Sequence, residues 1–233
     1  MGKRIIVQRR GRGSKIYQAK VSAYKYQLKI PKNLPSEEGR ITKLISSPAH
    51  SAPIAKISYS KGSFFIPAFK GMIEGEKIEL NTKNAQNGNI LKLSEIPVKT
   101  EVYCIESRPN DGGKFIKTAG TCATVSKIVG GKVVLLMPSK KEKEFNKDCR
   151  AIIGVIAGHG RKEKPIVKAG KKHYMMKAKN KLWPRTSPIK MNKIDHPFGS
   201  GRGKNPKSKI AKRNAPAGKK VGLLRPRRTG KKK

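Results

Sequence analysis

The two ends of this chain are too basic and too irregular to fold on themselves, and that constrains the architecture more than any other feature. Residues 1–34 hold 10 Lys and Arg and no acid, and residues 173–233 hold 20 against the single Asp195. The middle, 35–172, carries 25 against 13, so the ends contribute +29 of a formal net charge of +41. Within the second end, Trp183 to Gly203 reads WPRTSPIKMNKIDHPFGSGRG. Pro184, Pro188 and Pro197 interrupt any helix there, and Gly199, Gly201 and Gly203 leave the backbone free. Such segments bury too little apolar surface to offset their ordering entropy, so they fold onto a partner. Self-repulsion on this scale calls for a polyanion, and a nucleic acid supplies the densest row of phosphates.

Other classes fit less well. No apolar run approaches the ~18–20 residues of a spanning helix. The first residues, MGKRIIVQRRGRG, start basic but lack the apolar core of a secretory signal, so membrane partners are not expected. Cys104, Cys122 and Cys149 are odd in number and show no CxxC spacing, which speaks against a disulfide framework and against a zinc centre built with His159. Reduced thiols in a cytosolic protein are the expectation.

Between the arms the pattern is β. Residues 40–45 and 54–59 alternate, Lys61-Gly62 supplies a turn before 63–68, and short runs follow at 76–80 and 90–93. Five short strands in about 55 residues point to a small OB-like barrel. After Ile96-Pro97 come 102–105, 123–128, 132–137 and 150–156, with Gly130-Gly131 as a two-residue hairpin signal. Lys140 to Phe145 reads as a charged strand at a sheet edge, where charge discourages sheet-to-sheet association. This second set has the size of an SH3-like barrel. The expected fold is therefore mostly β: a basic extension over 1–34, an OB-like barrel over 35–95, an SH3-like barrel over 96–172, and a basic irregular extension over 173–233. One basic helix is expected from Lys171 to Lys181.

The candidate binding residues lie in the arms and beside them. Arg9, Arg10 and Arg12 combine guanidinium forks with glycines that let the backbone approach a groove. Tyr17, Tyr24 and Tyr26 alternate with lysines, a pattern that suits stacking beside phosphate contacts or packing on the chain's own domain. Arg161, Lys164, Lys168, Arg185, Lys190 and Arg202 cluster beside the Gly/Pro-rich segment and are expected on phosphate or sugar. Trp183 either stacks on a base or anchors the extension to the barrel. Lys43, Lys56 and Lys61 rank below these, because a charge on a strand is usually a solvated face. Asp195-His196 has the composition of a proton-transfer pair, but no nucleophile or metal cluster accompanies it, so His196 is expected to stack on or hydrogen-bond the nucleic-acid partner rather than to catalyse. The glycine-rich stretches lack the Lys-Ser/Thr ending of nucleotide-binding loops, and no cofactor is indicated beyond the Mg²⁺ that accompanies folded RNA.

Ala157-Gly158-His159-Gly160-Arg161, then Lys164-Pro165, Lys168-Ala169-Gly170, Trp183-Pro184-Arg185, Met191-Asn192 and Asp195-His196-Pro197-Phe198-Gly199 form an ordered string. It resembles the universal large-subunit ribosomal protein L-two family, in its archaeal/eukaryotic form. Asn87 to Leu91, Lys114 to Val125, Cys149-Arg150-Ala151, Arg213 to Gly222 and Arg227-Arg228-Thr229-Gly230 extend the resemblance over essentially the whole chain. The resemblance implies two barrels lying on large-subunit ribosomal RNA, with extensions threading toward the peptidyl-transferase region. It adds Asn192, Arg213, Arg227 and Arg228 to the RNA-binding candidates. It also implies neighbouring ribosomal proteins as partners, the small subunit at the intersubunit face, indirect support of tRNA, and a cytoplasmic location in the ribosome. It implies no enzyme. His159 and Lys140 stand where the family usually has glycine, and Ser200 interrupts a glycine run; at each a side chain would penalise a positive φ. A DNA-packaging protein would more often show a major-groove helix or an apolar wedge, and a nuclease would need a carboxylate cluster that the basic arms lack.

Overall fold

The computed structural model describes residues 3–201 and 210–224. The chain divides into two compact units: Val21–Lys168, and Met1–Lys20 together with Ala169–Lys233. The expected 34/35 boundary and the observed start at Val21 differ for a physical reason. Ile30 and Leu34 are buried in the core of the first unit, so the stretch before the first strand packs although its charge pattern is that of an arm.

In Val21–Lys168 the strands are β1 (Glu37–Ile45), β2 (Ile54–Tyr59), β3 (Gly62–Pro67), β4 (Lys77–Leu80), β5 (Ile90–Lys92), β6 (Glu101–Tyr103), β7 (Ala123–Val129), β8 (Lys132–Leu136), β9 (Glu142–Asn146) and β10 (Arg150–Ile153). They form one mostly antiparallel sheet in the order β3-β2-β1-β4-β5-β10-β6-β7-β8-β9. Two cores lie against it. Ile41, Ile57, Phe64, Ile66, Ile78 and Leu80 build the first around the early strands, and Val125, Val133, Leu135 and Phe145 build the second around the late ones. The mostly-β barrel fold read from the sequence is the fold observed.

The central strands serve both cores. In β10, Ile152 faces the first core while Ala151 and Ile153 face the second; in β6, Tyr103 and Val102 divide in the same way, as do Ile90 and Leu91 in β5. Side chains alternate sides along a strand, so a strand buried on both faces needs an unbroken apolar run. The outer strands alternate instead. β9, rich in Lys and Glu, lies at one edge of the order.

The turns follow their residues. Gly130 and Gly131 both have positive φ, at 52° and 81°, and form the two-residue link between β7 and β8. The next hairpin is closed by Pro138, Ser139 and Lys140. The Lys140 amide donates to the Met137 carbonyl (2.8 Å), and the Met137 amide donates to the Lys141 carbonyl (3.0 Å). This is a tight turn ending in a left-handed residue, and Lys140, at φ 61°, occupies that position without being glycine.

One buried ion pair ties the unit together. Glu106, with no exposed surface, accepts from Nη2 of Arg150 at 2.7 Å, from the Arg150 amide at 2.9 Å and from the Gly112 amide at 3.1 Å. Nη1 of Arg150 donates to the Pro31 carbonyl at 2.8 Å. The pair thereby fastens β10, the 106–112 loop and the segment entering β1, with the desolvated groups satisfied on both sides. Removing one partner of such a pair typically costs about 3–5 kcal/mol.

In the other unit, α1 (Ile6–Gly11), α2 (Ala169–Ala178) and a two-stranded parallel ladder of β11 (Ile210–Ala211) with β12 (Leu223–Leu224) are the regular elements. The sequence placed the basic helix at Lys171 to Lys181; it begins two residues earlier and stops at Ala178.

Candidate nucleic-acid interface

In the helical unit, the end of α2 organises the chain around it. Asn180 has φ 48°; its amide donates to the Lys177 carbonyl (3.0 Å), and the Lys181 amide donates to the Met176 carbonyl (2.9 Å). That is a left-handed helix terminus, a position Asn tolerates better than most residues. Its side-chain Nδ2 then donates to the backbone carbonyls of Ile16 and Gln18, fastening the first arm to the second. The Lys3 amide, donating to the Ile194 carbonyl at 3.0 Å, makes a second tie. Trp183 follows; the Lys172 ammonium of α2 lies 5.6 Å from its ring centroid, and the ring lines a hollow with Ile16, Tyr17 and Met176. The Trp183–Pro184 peptide is cis.

These ties create a cleft of about 490 Å³ between the arms. Arg9 of α1, Arg185, Lys190 and Asn192 line it, so four of the expected RNA-binding residues from opposite ends of the sequence meet in one place. Ile6, Leu182, Pro184 and Met191 supply apolar wall, and Asp195 is the one acid in the lining. A cationic cleft with planar guanidinium forks and an apolar wall suits a phosphate with its attached sugar or base.

The loop 191–200, which contributes Met191, Asn192 and Asp195 to the lining, is folded back on itself. The Asp195 and His196 amides donate to the Asn192 carbonyl, and the Ser200 amide donates to the Met191 carbonyl. A side chain at Gly199 would meet the Met191 and Asn192 carbonyl oxygens at 2.5 Å, so only glycine fits. Ser200, at φ 62°, takes the left-handed conformation although it carries a side chain; His159 does not, its glycine neighbours taking the positive φ instead. Within this loop Nδ1 of His196 accepts from the Phe198 amide at 3.1 Å, and the two rings meet edge to face at 5.2 Å. The accepting Nδ1 leaves the proton on Nε2, which makes that atom a donor. Desolvation holds the His196 pKa below the ordinary imidazole value. No hydrogen bond or ion pair joins His196 to Asp195 among the described residues, and the arrangement is that of a positioned donor rather than a proton relay.

The remaining sequence candidates lie elsewhere. Arg10 is half-buried and Arg12 exposed at the end of α1. Arg213 is exposed in a turn closed by the Ala215 amide on the Lys212 carbonyl (3.1 Å). Arg161, Lys164 and Lys168 are exposed and belong to the β unit, after β10. There Gly120 packs so closely under His159 that a side chain at 120 would sit 2.8 Å from its Cα, and Arg161 borders a small hollow beside them. Arg202, Arg227 and Arg228 lie outside the described residues. Asn180 was not singled out from the sequence; an Asn just past a helical run is the signal that could have found it.

Among the described residues no group of three or more His, Cys, Asp or Glu side chains is placed to hold a metal ion. Burial pushes the Cys104 and Cys149 thiols up to about 11, and burial with the Glu101 carboxylate does the same at half-exposed Cys122. All three are therefore protonated and unreactive at neutral pH. No helix among the described residues is long and apolar enough to cross a membrane.

Residues 86–218 match the family described as Ribosomal Proteins L2, C-terminal domain. Over its full length the chain is 42% identical to the whole of a large ribosomal subunit protein uL2 from Hyperthermus butylicus. It is 44% identical, over 99% of its length, to the whole of the corresponding protein of Methanococcoides burtonii.

Proposed function

Because the chain belongs to the ribosomal protein L2 family, in its archaeal form, we propose that it is a structural constituent of the large ribosomal subunit that binds large-subunit ribosomal RNA. The family is one of ribosomal proteins and not of enzymes. The full-length similarity to uL2 proteins at both ends and in the middle carries this reading. The cleft that gathers Arg9, Arg185 and Lys190 supports it, since three cations converge there with one acid. In this reading the β unit lies on folded RNA through its shape and phosphates, while the arms reach positions that a globular body cannot. His196, with Nε2 as donor in a loop closed by Gly199, positions RNA close to the peptidyl-transferase region. The protein thereby supports tRNA binding, association with the small subunit and contacts with neighbouring ribosomal proteins, in cytoplasmic ribosomes. Mg²⁺ enters through the RNA and not through a site on this chain.

Gradient sedimentation of a native extract tests the proposal. Migration with the large subunit that survives moderate salt and is lost on ribonuclease treatment is expected. Sedimentation with chromatin, or release as free protein at low salt, overturns it. Purified protein carrying Arg9→Ala and Arg185→Ala should bind large-subunit RNA more weakly. Its dependence of log affinity on log salt should be shallower by roughly 0.7–0.9 per lost phosphate contact.

A further inference from the structure

On the outer face of the first three strands, four side chains stand in one row. A β-bulge between Ile41 and Lys43 shifts the register of β1, so that Lys43 comes directly opposite Lys56 of β2. Lys56 in turn is opposite Phe65 of β3. Beyond Phe65, Leu28 bridges to it in parallel and the Lys29 amide donates to its carbonyl (3.1 Å), which seats the Tyr26 ring 5.0 Å from the Phe65 ring. The flanking residues Ala55, Ile57, Phe64 and Ile66 all point into the core, so Lys56 and Phe65 face outward. Tyr26, Lys43, Lys56 and Phe65 line a groove of about 460 Å³ with no carboxylate in its lining.

Like charges directly opposite each other on neighbouring strands destabilise a sheet. Elsewhere on this sheet three exposed lysines are answered by a carboxylate: Lys77 by Glu38 at 2.7 Å, Lys132 by Glu144 at 2.9 Å and Lys127 by Glu142 at 3.7 Å. Among the described residues neither Lys43 nor Lys56 has an ion-pair partner, and the nearby Glu74 carboxylate accepts from the Leu44 amide at 2.6 Å. The bulge thus creates an unanswered pair of cations beside an aromatic step that is only half-buried.

We propose that this row is a binding site for an unpaired nucleotide of RNA, with the base stacked on the Tyr26–Phe65 step and its phosphate held between Lys43 and Lys56. The proposal rests on the RNA-binding reading above and adds a site in the β unit, on strands where the lysines alone would pass for a solvated face. Aromatic stacking favours a single strand, because bases in a duplex are already stacked on each other.

The test uses the full chain and one RNA sequence, offered as a single strand and as a duplex, with affinity measured over a series of salt concentrations. Lys43→Gln with Lys56→Gln should weaken single-strand binding and reduce the salt slope by roughly 0.7, the value for the one phosphate that the two lysines share. Tyr26→Leu should weaken single-strand binding about tenfold and leave the slope unchanged. Duplex binding should change much less in both. The thermal midpoint of the free lysine variant should be equal to or above that of the parent, since a repulsion is removed. That separates a lost ligand contact from a damaged fold. Wild-type affinity in these variants, while Arg9→Ala with Arg185→Ala is impaired, overturns the site and leaves RNA binding standing. Equal losses on single strand and duplex also overturn it. Failure of the parent chain to bind RNA overturns both readings together.

Discussion

Single residues carry two of the testable consequences. His196 is held neutral by desolvation, and its Nδ1 is committed to the Phe198 amide. Its folded pKa lies below the unfolded value near 6.5, so its contribution is fully present above that value and is lost as pH falls through the lowered one. The ring resonances of His196 should therefore titrate below the usual imidazole midpoint, and the Phe198 amide should lose exchange protection over the same range. His50 is shifted in the same direction, by burial and then by Lys117, and His196→Gln should leave its titration in place. Lys140 is the second case. It holds φ 61° at the glycine-favouring end of its turn, exposed and without a compensating side-chain contact in the described hydrogen bonds. Lys140→Gly should raise stability by about 0.5–1 kcal/mol, read as a higher denaturant midpoint with an unchanged slope.

At the scale of elements, the strands were legible and the arms were not. The runs 40–45 and 54–59 were readable because alternation is a local property, and β1 extends to Glu37 only because β4 is there to pair with it. Gly130-Gly131 announced its hairpin, and the charge of β9 announced an edge. What could not be read was the sharing of β5, β10 and β6 between two cores, since an apolar run such as Ala151 to Ile153 has the same composition whichever core each residue enters. The cleft was half legible: Arg9, Arg185, Lys190 and Asn192 were identifiable as binders, but their convergence depends on Asn180 and on contacts about 160 residues apart in sequence. Nor could the sequence promote Lys43 and Lys56, whose alignment depends on a bulge. Asn180→Ala should loosen the cleft twice over, by straining the left-handed terminus and by freeing the Ile16 and Gln18 carbonyls. Asn180→Gly should relieve the first effect and retain the second. Hydrogen exchange at α2 and at residues 15–18 distinguishes them: faster exchange at both in the alanine variant, and at 15–18 mainly in the glycine variant.

For the whole molecule, a net charge of +41 sets stability and binding against each other. Screening relieves self-repulsion in the free protein and weakens its hold on phosphates. Raising salt from 50 to 200 mM should therefore raise the thermal midpoint of the free chain and lower its RNA affinity by orders of magnitude, two shifts of opposite sign in one titration. The pairing of Met1–Lys20 with Ala169–Lys233 has a further consequence, in time rather than energy. The first arm is synthesised about 150 residues before its partner begins to appear, a wait of roughly 7–30 s at about 5–20 residues per second. The β unit can fold in that interval, but Arg9 and Arg10 cannot reach their places. A newborn chain therefore trails an unpartnered polycation through a cell full of nucleic acid. An escort that covers the first twenty residues until α2 has emerged would shorten that exposure, and its benefit would vanish once Asn180 had closed on Ile16.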